Sequence, residues 1–343
     1  MYNPPMPQPD SLNDRLRRAG IRHFDELIHD QPKDWLRSNF QEGADEYPVN
    51  VARLLRNILW QMRERIQRKE KPPLRELIRT FWYMYIKPTL SRAGALASET
   101  DQYAQLTDNL AALVKDFNVM RYKDIGFRDD NQNNWRLGKN ANVILFAEKV
   151  GSLDFLLDLH AQYNVTVIAL GGQPSLLSAE YFVDAIRAAG VSLKRSFYLF
   201  SLVDYDPSGW IIQQAFLNDL AFYGLSHTRA SELITPDRLI VDEVLGSRFR
   251  IPDNDAMRTK NKSWLEQVRA RQYKNQQHLE EKDGDNVTLY GLETESVSTQ
   301  RLRGALETEM APLVGKSEDL LKIYELRQVE KAIQELILFK VSH

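Results

Sequence analysis

The sequence contains no cysteine among its 343 residues. That absence excludes disulfide bonds, thiolate metal sites and cysteine nucleophiles, and it suits a reducing compartment. The six histidines are scattered along the chain, so a zinc centre, which is normally built from Cys and His, is not expected either. Any bound metal should therefore be held by carboxylates, which indicates a hard cation such as Mg²⁺.

Long apolar runs and nucleotide-binding loops are also missing. No stretch of 18 apolar residues occurs, and the start MYNPPMPQPD lacks the basic and apolar regions of a signal peptide, so we expect a cytoplasmic protein outside the membrane. Neither a GxxxxGK[ST] loop nor a GxGxxG turn is present, so the chain has no recognisable device for binding ATP. With 43% hydrophobic and 27% charged residues, the composition is that of a globular chain long enough for two domains.

Charge is distributed unevenly, although the formal net charge is only −2. Residues 51–95 contain eleven Lys and Arg against three Asp and Glu, whereas residues 278–343 contain eight against thirteen. A basic segment on a nearly neutral protein suits binding to a polyanion. A helix face that is merely solvated would show the same charges.

The first half of the chain is predicted to be helical. After a Pro-rich start, residues 11–28 read as a short helix, and apolar residues at helical spacing predict an amphipathic helix over 51–69 with arginines on its outer face. A second helix is expected from Leu74 until Pro88 stops it, and a third over 103–117. Three helices followed by an extended segment are the outline of a winged helix, although a generic helical bundle would give the same pattern.

From Asn142 onward, short apolar runs alternate with helical segments. Such alternation predicts right-handed βαβ units and a largely parallel sheet. Two further helices are expected near the C-terminus, the last over 317–339. The predicted strands lie within 142–151, 166–172 and 196–206, and the helices between and after them lie at 153–163, 178–190 and 208–224.

Carboxylates follow two of these predicted strands. Glu148 ends the first apolar run, and Asp204 and Asp206 end the third. Ligands collect outside the carboxyl ends of parallel strands, and residues two apart on an extended segment face the same way. The pattern therefore predicts a Mg²⁺ site at this edge, although each carboxylate by itself also fits a solvated loop residue or a helix cap.

Three short motifs surround the carboxylates in order along the chain. FAEKVG ends a predicted strand in Glu and Lys, GGQPSLLSAEYF places a Gly-x-Pro turn before a helix, and VDYDPSGW opens a helix with Asp-x-Asp-Pro-x-Gly. The region resembles the Toprim domain of the topoisomerase VI A subunit and of its relative that makes meiotic double-strand breaks, and GLETESVSTQRL, with Glu295, is a looser match to the family's C-terminal extension. The matching residues are Glu148, Lys149, Gly151, Gly172, Pro174, Asp204, Asp206, Pro207 and Gly209.

The resemblance extends to RTFWY at residues 79–83. Members of the family carry Arg-Asp-Ile-aromatic-Tyr on a winged-helix domain, which implies Tyr83 as the nucleophile with Arg79 beside it, although Thr80 stands where an acidic residue is usual. Tyr85 is the rival nucleophile. The pattern FWYMY alone would equally fit a buried aromatic stripe, and we assign Trp82 to packing.

The resemblance implies a mixed α/β protein with three parts. These are an N-terminal extension over 1–48, a winged-helix domain over 49–138, and a Toprim domain with a parallel Rossmann-like sheet and a helical C-terminal extension over 139–343. It also implies Mg²⁺-dependent cleavage and rejoining of double-stranded DNA by a homodimer of the type IIB topoisomerase A class. Such a homodimer either works with a separate GHKL-type ATPase subunit or acts alone. The residues expected to bind DNA phosphates are Arg53, Arg56, Arg63, Arg65, Arg68, Lys69, Lys71 and Lys149.

Two other functions fit the same sequence. A metal-dependent Toprim nuclease would use water in place of tyrosine, and the departure at Thr80 keeps that reading open. A DNA-binding or assembly protein with an inactive Toprim domain would bind without cleaving, although the presence of Glu148, Asp204 and Asp206 together speaks against it.

Overall fold

The computed structural model describes residues 10–41, 48–171, 175–283 and 286–314, together with the isolated positions 329 and 333. The chain divides into two compact units between Asp130 and Asn131. The first unit is helical in its described residues, and the second contains a mostly parallel five-stranded sheet. The molecule is therefore a mixed α/β protein. No helix in the described part is both long and apolar enough to cross a membrane.

Three of the helices in the first unit pack against one long helix. That helix, α3, carries a stripe of buried apolar side chains and begins at Asn50, whose side chain accepts a hydrogen bond from the Arg53 amide. Its span agrees closely with the predicted amphipathic helix. The helices are α1 Leu12–Arg18, α2 Lys33–Phe40, α3 Val51–Gln67, α4 Ile78–Phe81, α5 Lys87–Ala93, α6 Glu99–Lys115 and α7 Tyr122–Ile125.

Two buried amides tie the N-terminal segment to α3. The Asn57 side chain accepts from the Arg22 amide and donates to the Gly20 carbonyl. The Gln61 side chain bonds the backbone between residues 24 and 28 in the same way. Because buried polar groups need such partners, these bonds join residues 20–28 of the predicted N-terminal extension to the first unit.

The second predicted helix differs from its expected form. The helical path runs through Pro88 to Ala93, and the segment Trp82–Ile86 between α4 and α5 is a π-helix in which the Lys87 amide donates to the Trp82 carbonyl. Proline normally ends a helix because it lacks an N–H and its ring clashes with the preceding turn. The wider π turn places Pro88 at the start of a new α-helical stretch, where a missing donor is tolerated.

The described residues of the first unit contain no β-strands, so the β-hairpin that forms the wing of a winged helix is not present among them. Instead, the backbone of residues 74–76 bonds to that of residues 125–128, with amide–carbonyl distances of 2.8 to 3.0 Å. This pairing joins the segment before α4 to the segment after α7.

Strands in the second unit lie where the apolar runs predicted them, and further strands join them. β1 Trp135–Arg136, β2 Asn140–Ala147, β3 Val165–Ala169, β4 Phe197–Leu202 and β5 Thr228–Glu232 form a sheet in the order β1-β3-β2-β4-β5. Only β1 runs antiparallel to its neighbour. The helices are α8 Leu153–Tyr163, α9 Leu176–Ala188, α10 Pro207–Phe222, α11 Val241–Ser247, α12 Asp255–Arg271 and α13 Thr299–Met310.

Alternate residues of the sheet pack against helices on its two faces. Phe146 of β2 stacks on Phe216 of α10, which in turn contacts Phe182 of α9. Its neighbour Leu145 belongs to the opposite core, which includes Leu156 of α8 and Trp264 of α12. Burial on both faces explains why β2, β3 and β4 are continuous apolar runs rather than alternating ones.

A second, antiparallel sheet was not expected from the sequence. It consists of β6 Arg248–Arg250, β7 Glu280–Asp283 and β8 Asn286–Leu292 in the order β6-β8-β7. The end of β8 reaches the main sheet, because the amides and carbonyls of Tyr205 and Leu292 bond each other at 2.9 and 3.2 Å. This bridge brings the residues after β8 to the carboxyl end of β4.

The boundary between the units falls slightly earlier than the predicted division at 138/139. β1 pairs with β3, and the Trp135 ring packs edge-on against Phe182 at 5.6 Å. The Asn134 carbonyl also accepts a hydrogen bond from the Ala169 amide. Residues 131–138 therefore belong to the sheet unit.

Candidate active site

Tyr83 is the exposed member of a mostly buried aromatic segment. Phe81 and Trp82 are fully buried and Tyr85 is half-buried, whereas 43% of Tyr83 is exposed. The burial of Trp82 confirms its predicted packing role. The π turn thus exposes Tyr83 and Met84 to solvent, while Phe81, Trp82 and Ile86 are buried in the core.

The Tyr83 hydroxyl lies in a charged hydrogen-bond network within the first unit. It donates to Glu99 Oε1 at 2.5 Å, and the other oxygen of that carboxylate pairs with Lys87 Nζ at 2.6 Å. Arg79 Nη2 donates to the hydroxyl at 3.4 Å. The Lys87 ammonium and the Arg79 guanidinium also lie 5.2 and 5.8 Å from the centre of the Tyr83 ring.

This network keeps Glu99 ionised. The hydrogen bond from Lys87, followed by that from Tyr83, lowers the pKa of Glu99, and the same pairing raises the pKa of Lys87. An O–H group bonded to a carboxylate is expected at 2.5 to 2.7 Å, as found here. The arrangement therefore holds a phenol against an anionic acceptor, with two cations beside it.

Tyr85 has different surroundings. Its ring packs on Phe81 at 5.1 Å and on the edge of His29 at 4.8 Å, and Lys71 Nζ lies 5.0 Å from the ring centre. These are packing contacts. The contacts of Tyr83 with Glu99 and Arg79, in contrast, involve its hydroxyl.

Arginines of α3 interact mainly within their own unit. Arg56 donates to Asn109 at 2.6 Å, Arg63 lies over the Trp60 ring and pairs with Asp124 at 3.7 Å, and Arg65 pairs with Glu70 at 3.4 Å. Along with Arg53, these arginines are half-buried, whereas Arg68 and Lys69 are exposed at the C-terminal end of the helix. Of the predicted phosphate-binding residues on α3 and at its end, Arg68 and Lys69 are therefore the most accessible.

In the second unit, the three predicted carboxylates meet at the carboxyl edge of the sheet. β2 and β4 are neighbours, with Ala147 opposite Leu202, so Glu148 and Asp204 follow adjacent strand ends. Burial raises the pKa of Glu148, and the charges of Asp204 and Asp206 raise it further. Burial likewise raises the pKa of Asp206, with Asp204 adding to the effect. The cluster concentrates negative charge in a partly buried place.

The Asp-x-Asp turn is fixed by backbone contacts. Asp206 is the N-cap of α10 and accepts from the Gly209 amide at 2.7 Å, and Asp204 accepts from the Thr294 amide at 2.8 Å. Gly209 lies so close to the turn that a Cβ there would be 2.2 Å from the Asp204 carbonyl oxygen. The glycine of this motif is therefore required by the close approach of α10.

Lys149 neutralises part of this cluster. Its Nζ lies 3.2 Å from Asp204 Oδ2 and 3.5 Å from Glu295 Oε2. Among the described residues, no group of three or more His, Asp or Glu side chains is arranged to hold a metal ion. Carboxylate oxygens are the kind of ligand that Mg²⁺ prefers, and in this structure the Lys149 ammonium pairs with two of the acidic side chains.

Sequence reasoning missed Glu99 and Lys87 as neighbours of Tyr83. Glu99 is sixteen residues from Tyr83 and only the packing of α6 brings the two together. Glu295 had been noted as a family-like residue, and its contact with Lys149 depends on the end of β8. Gly172 and Pro174 lie outside the described residues, as does the predicted helix over 317–339 apart from positions 329 and 333.

No protein-family model matches the chain, and no curated protein matches it.

Proposed function

We propose that this protein cleaves and rejoins double-stranded DNA by tyrosine transesterification, in the manner of the type IIB topoisomerase A subunits that its motifs resemble. The observation that carries the proposal is the Tyr83 phenol, exposed among buried aromatic residues and bonded to Glu99 and Arg79. A structural tyrosine in an aromatic stripe has no need of such a charged setting.

The chemistry follows from the groups around Tyr83. A free phenol has a pKa of about 10 and is a weak nucleophile at neutral pH. Arg79 and Lys87 lie beside the phenol, and their positive charges would attract an incoming phosphate. Attack of the Tyr83 oxygen on phosphorus would release a deoxyribose hydroxyl and leave a tyrosyl phosphodiester. Since one diester replaces another, breakage is reversible without ATP.

Glu148, Asp204 and Asp206 would hold Mg²⁺ in this scheme. The ion would neutralise charge that develops on the phosphate. Lys149 would then contact DNA or a neighbouring carboxylate, because the ion would compete with its ammonium for Asp204.

Cleavage of both strands would require two copies of the chain, and a twofold homodimer suits the approximate twofold symmetry of duplex DNA. A separate GHKL-type ATPase subunit would be needed for ATP-driven strand passage. The absence of cysteine suits a cytoplasmic setting, with association with the nucleoid if the cell is prokaryotic.

Two other functions are each favoured by one observation. A Toprim nuclease with water as the nucleophile is favoured by a carboxylate cluster built entirely within the second unit. A protein that binds DNA without cleaving it is favoured by the pairing of Lys149 with Asp204 and Glu295.

The test is plasmid cleavage by the wild type, Tyr83→Phe and Tyr85→Phe. Supercoiled plasmid is incubated with protein and Mg²⁺, the reaction is stopped with denaturant, and DNA ends are analysed by gel with and without protease. We expect protein-linked ends with the wild type and with Tyr85→Phe, and none with Tyr83→Phe. Protein-free DNA ends that persist with Tyr83→Phe would establish the nuclease. Binding of plasmid by the wild type without any cleavage would establish a DNA-binding protein with an inactive Toprim domain.

A further inference from the structure

Glu99 is the nearest acceptor for the proton that Tyr83 must lose. Its Oε1 takes the phenolic hydrogen bond at 2.5 Å, and its Oε2 is held by Lys87 at 2.6 Å, so the carboxylate is fixed on both sides. Lys87 in turn lies against the face of the Tyr83 ring. Tyr83 of the π segment, Lys87 of α5 and Glu99 of α6 therefore form one connected network of contacts.

An acidic residue in the first turn of a helix often serves only the helix dipole. Asp101 also lies in the first turn of α6, and it is exposed. Glu99 differs because its two oxygens contact a phenol and an ammonium, one oxygen each. Glu99 therefore accepts the hydrogen bond of Tyr83 in addition to any interaction with the helix dipole.

We propose that Glu99 is a catalytic residue that accepts the Tyr83 proton during cleavage and returns it during rejoining. This inference rests on the proposed function. The Tyr83 oxygen forms its bond to phosphorus as its proton passes to Glu99, and the bond from phosphorus to the deoxyribose oxygen breaks, with that oxygen taking a proton from water. In the reverse reaction the deoxyribose hydroxyl gives its proton to hydroxide, and protonated Glu99 returns its proton to the departing phenolic oxygen.

Lys87 is a positioning residue in this scheme. It holds the carboxylate towards Tyr83 and keeps it ionised before the reaction, since their pairing lowers the pKa of Glu99. Once Glu99 carries the proton, Lys87 and Arg79 remain as cations beside the new phosphodiester.

The charged and titratable groups that face this hydrogen bond are Arg79 from α4, Lys87 from α5 and Tyr103 from α6. Pairing with Glu99 raises the pKa of Lys87, and burial raises that of Tyr103. Neither group therefore changes its charge between pH 7 and pH 9. A pH dependence in this range would report on the removal of the Tyr83 proton.

The experiment compares Glu99→Gln with Asp101→Asn and the wild type under single-turnover conditions. Glutamine keeps an oxygen that can accept the phenolic hydrogen bond but cannot take the proton. Asp101→Asn removes an equivalent charge from the same helix turn. The rate of forming protein-linked plasmid ends is measured from pH 7 to pH 9, with plasmid binding and thermal unfolding as checks on folding.

We expect Glu99→Gln to slow the reaction about 100-fold at pH 7, as general base catalysis typically contributes, and Asp101→Asn to leave it within about threefold. The deficit of Glu99→Gln should shrink as the pH rises, because hydroxide replaces the missing base. A rate for Glu99→Gln within threefold of the wild type, or an equal deficit at every pH, would overturn the role of Glu99 while leaving Tyr83 as the nucleophile. Absence of protein-linked ends with the wild type would instead overturn the proposed function, and this inference with it.

Discussion

Gly209 shows how closely the backbone approaches itself at the carboxylate cluster. It is the last position of the Asp-Pro-x-Gly motif, and a Cβ there would meet the Asp204 carbonyl oxygen at 2.2 Å. Backbone atoms cannot turn aside as a flexible side chain can. Close packing of α10 against the turn therefore requires glycine at position 209, independently of any role in catalysis.

Gly209→Ala should lower the free energy of unfolding by about 2–3 kcal/mol, the usual cost of forcing extra volume into a packed place. The matched control is Gly304→Ala in α13, where a Cβ meets nothing within 4 Å; it should raise stability by about 0.5–1 kcal/mol through helix propensity. Urea denaturation measures both. A Gly209→Ala protein as stable as the wild type would show that the turn can relax without cost.

At the level of elements, the π-helical segment determines which aromatic side chains are buried. It separates two short α-helical stretches and includes Tyr83 and Tyr85. The Thr89 hydroxyl, fully buried, donates to the Tyr85 carbonyl at 2.6 Å. This bond satisfies a backbone acceptor at the point where the helical register changes.

Thr89→Val keeps the shape of the side chain and removes this donor. We expect a loss of about 1–3 kcal/mol, because a buried carbonyl loses a hydrogen-bond partner. Thr107→Val is the control, since the Thr107 hydroxyl donates to the Ala104 carbonyl at 2.8 Å on an exposed part of α6 where water can replace it. Chemical denaturation of the two variants and the wild type measures the loss in free energy of unfolding. Equal losses would mean that the Thr89 bond does not support the π segment.

At the level of the whole molecule, the second unit contains its own sheet and core. The five strands of the main sheet, the antiparallel sheet and the helices that cover them all lie after Asp130 in the described residues. Compact units with their own core can in general fold alone. The strand β1 at the start of this unit pairs with β3 and is part of it.

A fragment over 131–343 should therefore fold alone and be more stable than a fragment over 139–343. The shorter fragment removes β1, the packing of Trp135 on Phe182, and the bond from the Ala169 amide to the Asn134 carbonyl. We expect a loss of about 3 kcal/mol, the lower end of the range for removing a buried aromatic side chain. Urea denaturation of both fragments, followed by circular dichroism, measures this difference in the free energy of unfolding. Equal stability would place the natural boundary at the predicted 138/139 division.

The carboxylate positions and much of the main sheet could be predicted from the sequence. Strands buried on both faces must be apolar at every position, and parallel strands must be joined by helices, so β2, β3 and β4 stand out as apolar runs between helical segments. Glu148, Asp204 and Asp206 follow from the same pattern, since neighbouring parallel strands end at one edge. The edge strands β1 and β5 and the strands of the antiparallel sheet are short or polar, and their pattern is too weak to predict them.

Only the tertiary structure decided which side chains meet. The charge pattern of residues 51–95 is evident in the sequence, but Arg56, Arg63 and Arg65 bind groups of their own unit because of how α3 packs. The contact of Glu99 with Tyr83, and that of Glu295 with Lys149, depends on the relative placement of elements far apart in the chain. Local sequence determines the hydrophobic period of an element, whereas packing also shifts its ends, as at Pro88. The partner of a side chain is determined by packing, in which distant segments compete to fill the same space.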